Sequence, residues 1–175
     1  MAEPQTHDWS ADVYAEMQAR DISTVCTIPD GGLTHLLQTC EADPATRVVT
    51  LTTEEEGVGI ATGLWLGGKR AMIAMQSSGV GNCMNALGMP TVMRAPCLML
   101  VTMRGHWGEF NPWQVPAGRA VPKLLDTMGV NVFAVDRAED VGETFAAAAD
   151  LAFDGGLSCA VLVSQRIIGA KGFGR

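Results

Sequence analysis

The sequence predicts one α/β domain of three layers, residues 1–175, in which a six-stranded, mainly parallel sheet carries helices on both faces. Two observations lead to this expectation. Six short runs are almost continuously apolar, the pattern of strands buried on both faces. Between them lie segments of helical spacing, and repeated strand–helix–strand order gives right-handed crossovers and parallel pairing.

In chain order, WSADVYAEMQARD (9–21) has helical spacing and leads into the strand STVCTIP (23–29). The turn sequence PDGG precedes a helix, GLTHLLQTCEA (32–42), and the strand RVVTL (47–51). EEEGVGIATGLWL (54–66) reads as a helix and AMIAMQ (71–76) as a strand. NCMNALGMPTVM (82–93) reads as one helix, reached through a glycine turn, and CLMLVTM (97–103) as a strand. An aperiodic segment, RGHWGEFNPWQVPAGRA (104–120), runs into the helix AVPKLLDTMG (120–129). The strand NVFAV (131–135), the helix AEDVGETFAAAADLAF (138–153) and the strand CAVLVS (159–164) complete the set, and no linker divides it.

Composition narrows the function. A net charge of −7 disfavours nucleic acid and anionic membrane surfaces, both of which are bound through Lys and Arg patches. The N-terminal segment has neither a basic start nor an apolar core, so no targeting peptide is expected, and no apolar run approaches the ~20 residues of a membrane span. Five cysteines without a close C-x-x-C pair read as reduced, buried thiols of a cytoplasmic protein, and no metal site is expected. His35 reads as a packed helix residue.

In open parallel sheets the ligand crevice lies beyond the carboxyl ends of the strands. Four segments emerge there: PDGG, TTEEE, SSGVGN and the long loop. Gly79 and Gly81 make half of a dinucleotide fingerprint. They serve either a tight turn with positive φ or a ligand lying on bare backbone, with Gln76, Ser77, Ser78 and Asn82 as donors. Asp30 either caps the next helix or contacts a ligand. In TTEEE, Thr53 as N-cap and Glu56 at the third helical position form a capping box, which with the helix dipole accounts for Glu55 and Glu56. Gly57, Gly59 and Gly63 weaken the helix by ~1 kcal/mol each relative to alanine, a cost tolerated where another backbone or subunit approaches closely. Arg104, just past a strand end, is a candidate anion clamp, and His106 a candidate substrate contact in the long loop.

These features resemble a known family. Glu54 stands nine residues before the glycine of ATG (Gly63), on a helix entered from a strand and followed by Lys69 and Arg70. That pattern is similar to the pyrimidine-binding domain of thiamine diphosphate enzymes. EEEGVGIATGLWLGGKRAMIAMQSSGVGNCMNAL, IPDGG and the long loop resemble the alpha subunits of sulfopyruvate decarboxylases and the corresponding half of phosphonopyruvate decarboxylases. The likeness runs from about Thr24 onward; it departs at Gly31, where the family often has serine.

The resemblance implies that Glu54 is the catalytic residue. It would hydrogen-bond N1′ of the cofactor's aminopyrimidine and support the tautomer whose nitrogen deprotonates C2 of the thiazolium. Pro29, Gln76, Ser78, Gly79 and Asn82 join Glu54 in cofactor binding; Asp30, Arg104 and His106 meet the substrate. The family's GDG motif with a downstream Asn, which binds the diphosphate through Mg2+, has no counterpart at the required spacing. A separate beta subunit is therefore expected to hold Mg2+ and the diphosphate, in a hetero-oligomer with at least two copies of each chain. The implied substrate is a small anionic 2-oxo acid, and the reaction converts 3-sulfopyruvate to sulfoacetaldehyde and CO2, in coenzyme M biosynthesis or sulfonate metabolism. A phosphonopyruvate decarboxylase subunit and a non-catalytic binding module of the same fold are the alternatives.

Overall fold

A computed structural model describes residues 7–169 of the chain; the reading against a targeting peptide rests largely on residues 1–6, outside the described residues. After helix α1 (Trp9–Ala19) come β1 (Ile22–Thr27), a 3-10 turn at Gly31–Leu33, α2 (Thr34–Ala42), β2 (Arg47–Thr50), α3 (Glu54–Leu66) and β3 (Arg70–Gln76). The remainder is α4 (Ser77–Cys83), α5 (Gly88–Met93), β4 (Cys97–Thr102), α6 (Gln114–Thr127), β5 (Asn131–Val135), a second 3-10 turn at Ala138–Asp140, α7 (Val141–Phe153), β6 (Ser158–Val163) and α8 (Gln165–Ile168). The six strands form one sheet in the order β2-β1-β3-β4-β6-β5, and every neighbouring pair is parallel.

Successive strand residues point to opposite faces, and the central strands divide accordingly. Met72, Ala74, Leu98 and Leu100 pack with α1, α2 and α7 around Phe145, while Ala71, Ile73, Met75, Cys97, Met99 and Val101 pack with α3, α4 and α6. Two apolar cores therefore sandwich the sheet, giving the three layers expected. All five cysteines are free and buried. Burial raises the thiols of Cys26, Cys40 and Cys159 to about 11 and those of Cys83 and Cys97 to about 12.

Four expectations change. The helix expected over 82–93 is two, α4 and α5, because Pro90 has no N–H for the carbonyl of Ala86 and its ring would clash there. The expected glycine turn before it does not exist: α4 starts at Ser77, directly after β3, and neither Gly79 nor Gly81 has a positive φ. Helix α6 begins at Gln114, within the segment read as irregular. Its Pro116 falls in the first turn, where a missing N–H breaks no helical hydrogen bond. His35 is exposed rather than packed.

Candidate active site

From β1 the chain moves to β2 on one side and then returns to β3 on the other. The helices of these two crossovers, α2 and α3, belong to opposite layers. The carboxyl ends of β1 and β3 therefore flank a topological switch point, where open α/β sheets leave a ligand crevice. Pro29 and Asp30 follow β1, and Gln76 ends β3.

Glu54 is the first residue of α3. The helix buries Glu54, Gly57, Val58, Ala61 and Thr62, a stripe at helical spacing that turns the carboxylate inward, and Glu54 is 8% exposed. Its Oε2 accepts a hydrogen bond from Asn82 Nδ2 at 2.8 Å. A Cβ on Gly79 would lie 2.4 Å from Glu54 Oε1, so the carboxyl group rests against bare α4 backbone. Glycine at position 79 thus answers to the neighbouring carboxylate, since its own backbone is ordinary helix. The adjacent acids differ: Glu55 and Glu56 are exposed. The expected capping box does not form, since Glu56 reaches the residue before the N-cap. Thr53 makes no side-chain cap, while Glu56 Oε2 accepts from Thr52 N at 2.8 Å.

A second group spans the ends of β1, β3 and β4. Asp30 accepts from Gly32 N at 3.0 Å, Gln76 Nε2 at 3.3 Å and Thr102 Oγ1 at 3.2 Å, and Gln76 Oε1 accepts from Ser78 Oγ at 2.7 Å. Asp30 thus caps the 3-10 turn and also ties three neighbouring strand ends together. Since Ser78, Gly79 and Asn82 share α4, that short helix joins this group to the Glu54 corner.

The loop over 103–113 follows β4. Arg104 N donates to Ser77 Oγ at 3.1 Å, setting the loop against α4. The Arg104 guanidinium grips Glu109 through Nε at 2.9 Å and through Nη2, and Glu109 also accepts from Gly105 N, Asn111 N and Gln165 Nε2. This concentration of donors, Arg104 first among them, lowers the Glu109 carboxyl to about 2; the pair raises Arg104 in turn. The loop crosses α6 backbone to backbone: a Cβ at Gly105, whose φ is +83°, would lie 2.2 Å from Gln114 O. His106 stands apart from Glu54. It lines a cavity of about 270 Å3 with Arg119, Asp136 and Ser164, where burial lowers its imidazole against the pull of Asp136.

Of the residues named from sequence, Glu54, Gly79 and Asn82 meet in one corner, and Asp30, Gln76 and Ser78 in the adjoining one; Pro29 borders the second. Sequence reasoning gave no role to Thr102, Glu109 or Gln165. Glu109 had a signal, an acid four residues before an aperiodic Trp113–Gln114 junction in a loop rich in backbone donors. Gln165 had none, because its partners lie 56 to 59 residues earlier in the chain.

A buried carboxylate thus stands at a strand-to-helix junction beside the switch point. The family model described as thiamine pyrophosphate enzyme, N-terminal TPP binding domain, matches residues 8–111, and the chain belongs to that family. Its relatives include sulfopyruvate decarboxylase subunit alpha of Methanothermobacter thermautotrophicus, 41% identical over 67% of this chain and 72% of the relative. The protein of that name from Methanococcus maripaludis is 30% identical over 86% and 91%. Phosphonopyruvate decarboxylase of Streptomyces viridochromogenes is 37% identical over 67% of this chain but 30% of its own length. A solved 2-oxoglutarate:ferredoxin oxidoreductase from Magnetococcus marinus superposes with a TM-score of 0.73 at 17% identity, over 91% of this chain and 29% of that one, and shares the fold. The chain is accordingly a thiamine diphosphate-dependent enzyme of the decarboxylase kind.

Proposed function

We propose that the chain, as a single pyrimidine-binding domain, is the alpha subunit of a decarboxylase that converts 3-sulfopyruvate to sulfoacetaldehyde and CO2. The observation that carries this reading is the Glu54 corner: a carboxylate 8% exposed, held at one oxygen by Asn82 and lying on Gly79. These residues fit an aminopyrimidine. A ring nitrogen needs an acceptor or proton-holding carboxylate in a dry setting, where a hydrogen bond is strong, and Glu54 supplies one in a fixed orientation. Thiamine diphosphate, when bound, supplies the sink for the electron pair released with CO2. Glu54 holds the proton shared with the pyrimidine, Asn82 fixes the carboxyl plane, and Gln76 and Ser78 border the pocket beside Pro29. Asp30 and the Arg104 region receive the substrate; His106 serves a wider approach to it.

Support for the sulfonate over the phosphonate comes from the relatives named as alpha subunits, most of whose length this chain covers. The same names support a partner subunit, to which this reading assigns Mg2+ and the diphosphate, in a cytoplasmic assembly with at least two copies of each chain. Helix α3 offers it a surface: Gly59 and Gly63 have open space where a Cβ would stand, whereas Gly57 is packed against Ile73 and Leu51 of its own chain. Nearby α5 exposes Met89, Val92 and Met93. The test is CO2 release from 3-sulfopyruvate, phosphonopyruvate and pyruvate by the chain with and without the companion subunit. Preference for pyruvate would overturn the substrate, and turnover by the chain alone would overturn the division of labour.

A further inference from the structure

The loop over 103–113 has no strand or helix to give it shape, yet four of its backbone donors are held by two side chains. Glu109 takes Gly105 N at 3.2 Å and Asn111 N at 3.0 Å. Gln165, the first residue of α8, takes Trp107 N at 3.2 Å and His106 N at 3.4 Å through its Oε1. The same amide donates from Nε2 to Glu109 Oε2 at 2.9 Å, so one residue closes the circuit between the two halves of the loop. Gln165 is 2% exposed, and the next residue, Arg166, stacks its guanidinium 3.6 Å from the centre of the Trp107 ring. Buried amides with both ends satisfied fix geometry, because any displacement strands a donor and an acceptor at once.

What this circuit holds in place is Arg104. Glu109 occupies its Nε and Nη2 on one edge, and Ser77 holds its backbone at the start of α4. A guanidinium has five N–H donors in a rigid fork, so the edge away from Glu109 keeps donors of fixed direction. The tie to Ser77, the first residue after β3, sets Arg104 at the switch-point end of the sheet, where the field of Asp30 also acts on it.

We propose that Gln165 is a positioning residue for substrate specificity: it locks the Glu109 loop so that Arg104 presents its outer edge to the second anionic group of the substrate. This rests on the assignment of Arg104 to the substrate made above. Gln165 acts through the loop and touches no reacting atom.

The test uses the assembled two-chain enzyme with three variants: Arg104→Ala, Gln165→Ala and the double variant. KM is measured for 3-sulfopyruvate, and pyruvate serves as alternative substrate or competitive inhibitor. Gln165→Ala is expected to raise KM for 3-sulfopyruvate about tenfold while kcat and the pyruvate constant stay within about twofold. In the Arg104→Ala background it should add nothing, since the two changes disable one device. If Gln165→Ala does not assemble, Gln165→Met, which keeps the volume but loses both the acceptor for the loop and the donor to Glu109, carries the same expectation. A selective loss in Arg104→Ala with an unselective or absent effect at Gln165 overturns the positioning inference and leaves the proposed function standing. An unselective effect of Arg104→Ala itself overturns the assignment of Arg104, and the inference with it.

Discussion

Glu54, Asn82 and Gly79 act as one unit, because the carboxylate has its position only while Asn82 holds one oxygen and position 79 lacks a Cβ. Glu54→Gln keeps the volume and removes the charge; turnover should fall by more than about tenfold, at least ~1.4 kcal/mol of barrier, with the circular dichroism spectrum unchanged. Glu56→Gln should retain most activity, since Gln can still accept from Thr52 N. Equal losses at both positions would mean that the α3 start, rather than the Glu54 carboxylate, is what matters. Gly79→Ala puts a methyl 2.4 Å from Oε1, and the carboxylate must swing away. Overpacking of this kind costs ~1–3 kcal/mol, and the loss of kcat should exceed what the drop in Tm accounts for. Glu54 was singled out in the sequence by the resemblance, nine residues before Gly63; that it alone of the three acids is buried needed the fold. The importance of Gly79 was legible only as a glycine; its reason, a carboxylate 25 residues earlier, needed the fold.

Among the elements, the loop after β4 shows what periodicity cannot reveal. Its Gly, Pro and Trp content read as irregular through position 120, but Pro116 sits where a helix tolerates it and α6 starts at Gln114. The shape of the shorter loop that remains depends on Glu109. That carboxyl titrates near 4.5 in the unfolded chain and at about 2 in the folded one. A lowered folded value means the network stabilises fully above the unfolded value and is lost as pH falls through the folded one. The Tm advantage of the wild type over Glu109→Gln should therefore be constant from neutral pH down to about 4.5, then shrink toward pH 2. A gap independent of pH across that range would contradict the pairing with Arg104. The central strands, by contrast, were readable because they are buried on both faces and run almost continuously apolar.

For the molecule as a whole, folding and assembly make opposite demands on α3. Gly59 and Gly63 meet nothing within 4 Å of an added Cβ, so alanine at both should stabilise the isolated chain, by up to ~1 kcal/mol each. A larger change, Gly59→Leu, should leave the chain folded by thermal melt yet abolish co-purification with the companion subunit. Unimpaired assembly would move the interface elsewhere. The sheet and the helices follow from one chain, whereas the proposed interface rests on this glycine pattern and the exposed residues of α5. The buried cysteines supply a gauge of how the parts move. They are spread over β1, α2, α4, β4 and β6, and none is accessible in the folded chain. A thiolate-seeking reagent can reach each one only when its own segment opens. Pulsed alkylation read by mass spectrometry should therefore give five separate opening rates. Cys83 lies one residue from Asn82 on α4, so thiamine diphosphate bound in the assembled enzyme should slow its labelling most. Cys159, buried on β6 between β4 and the edge strand β5, should keep its rate, and equal slowing at both would place the cofactor's grip outside α4.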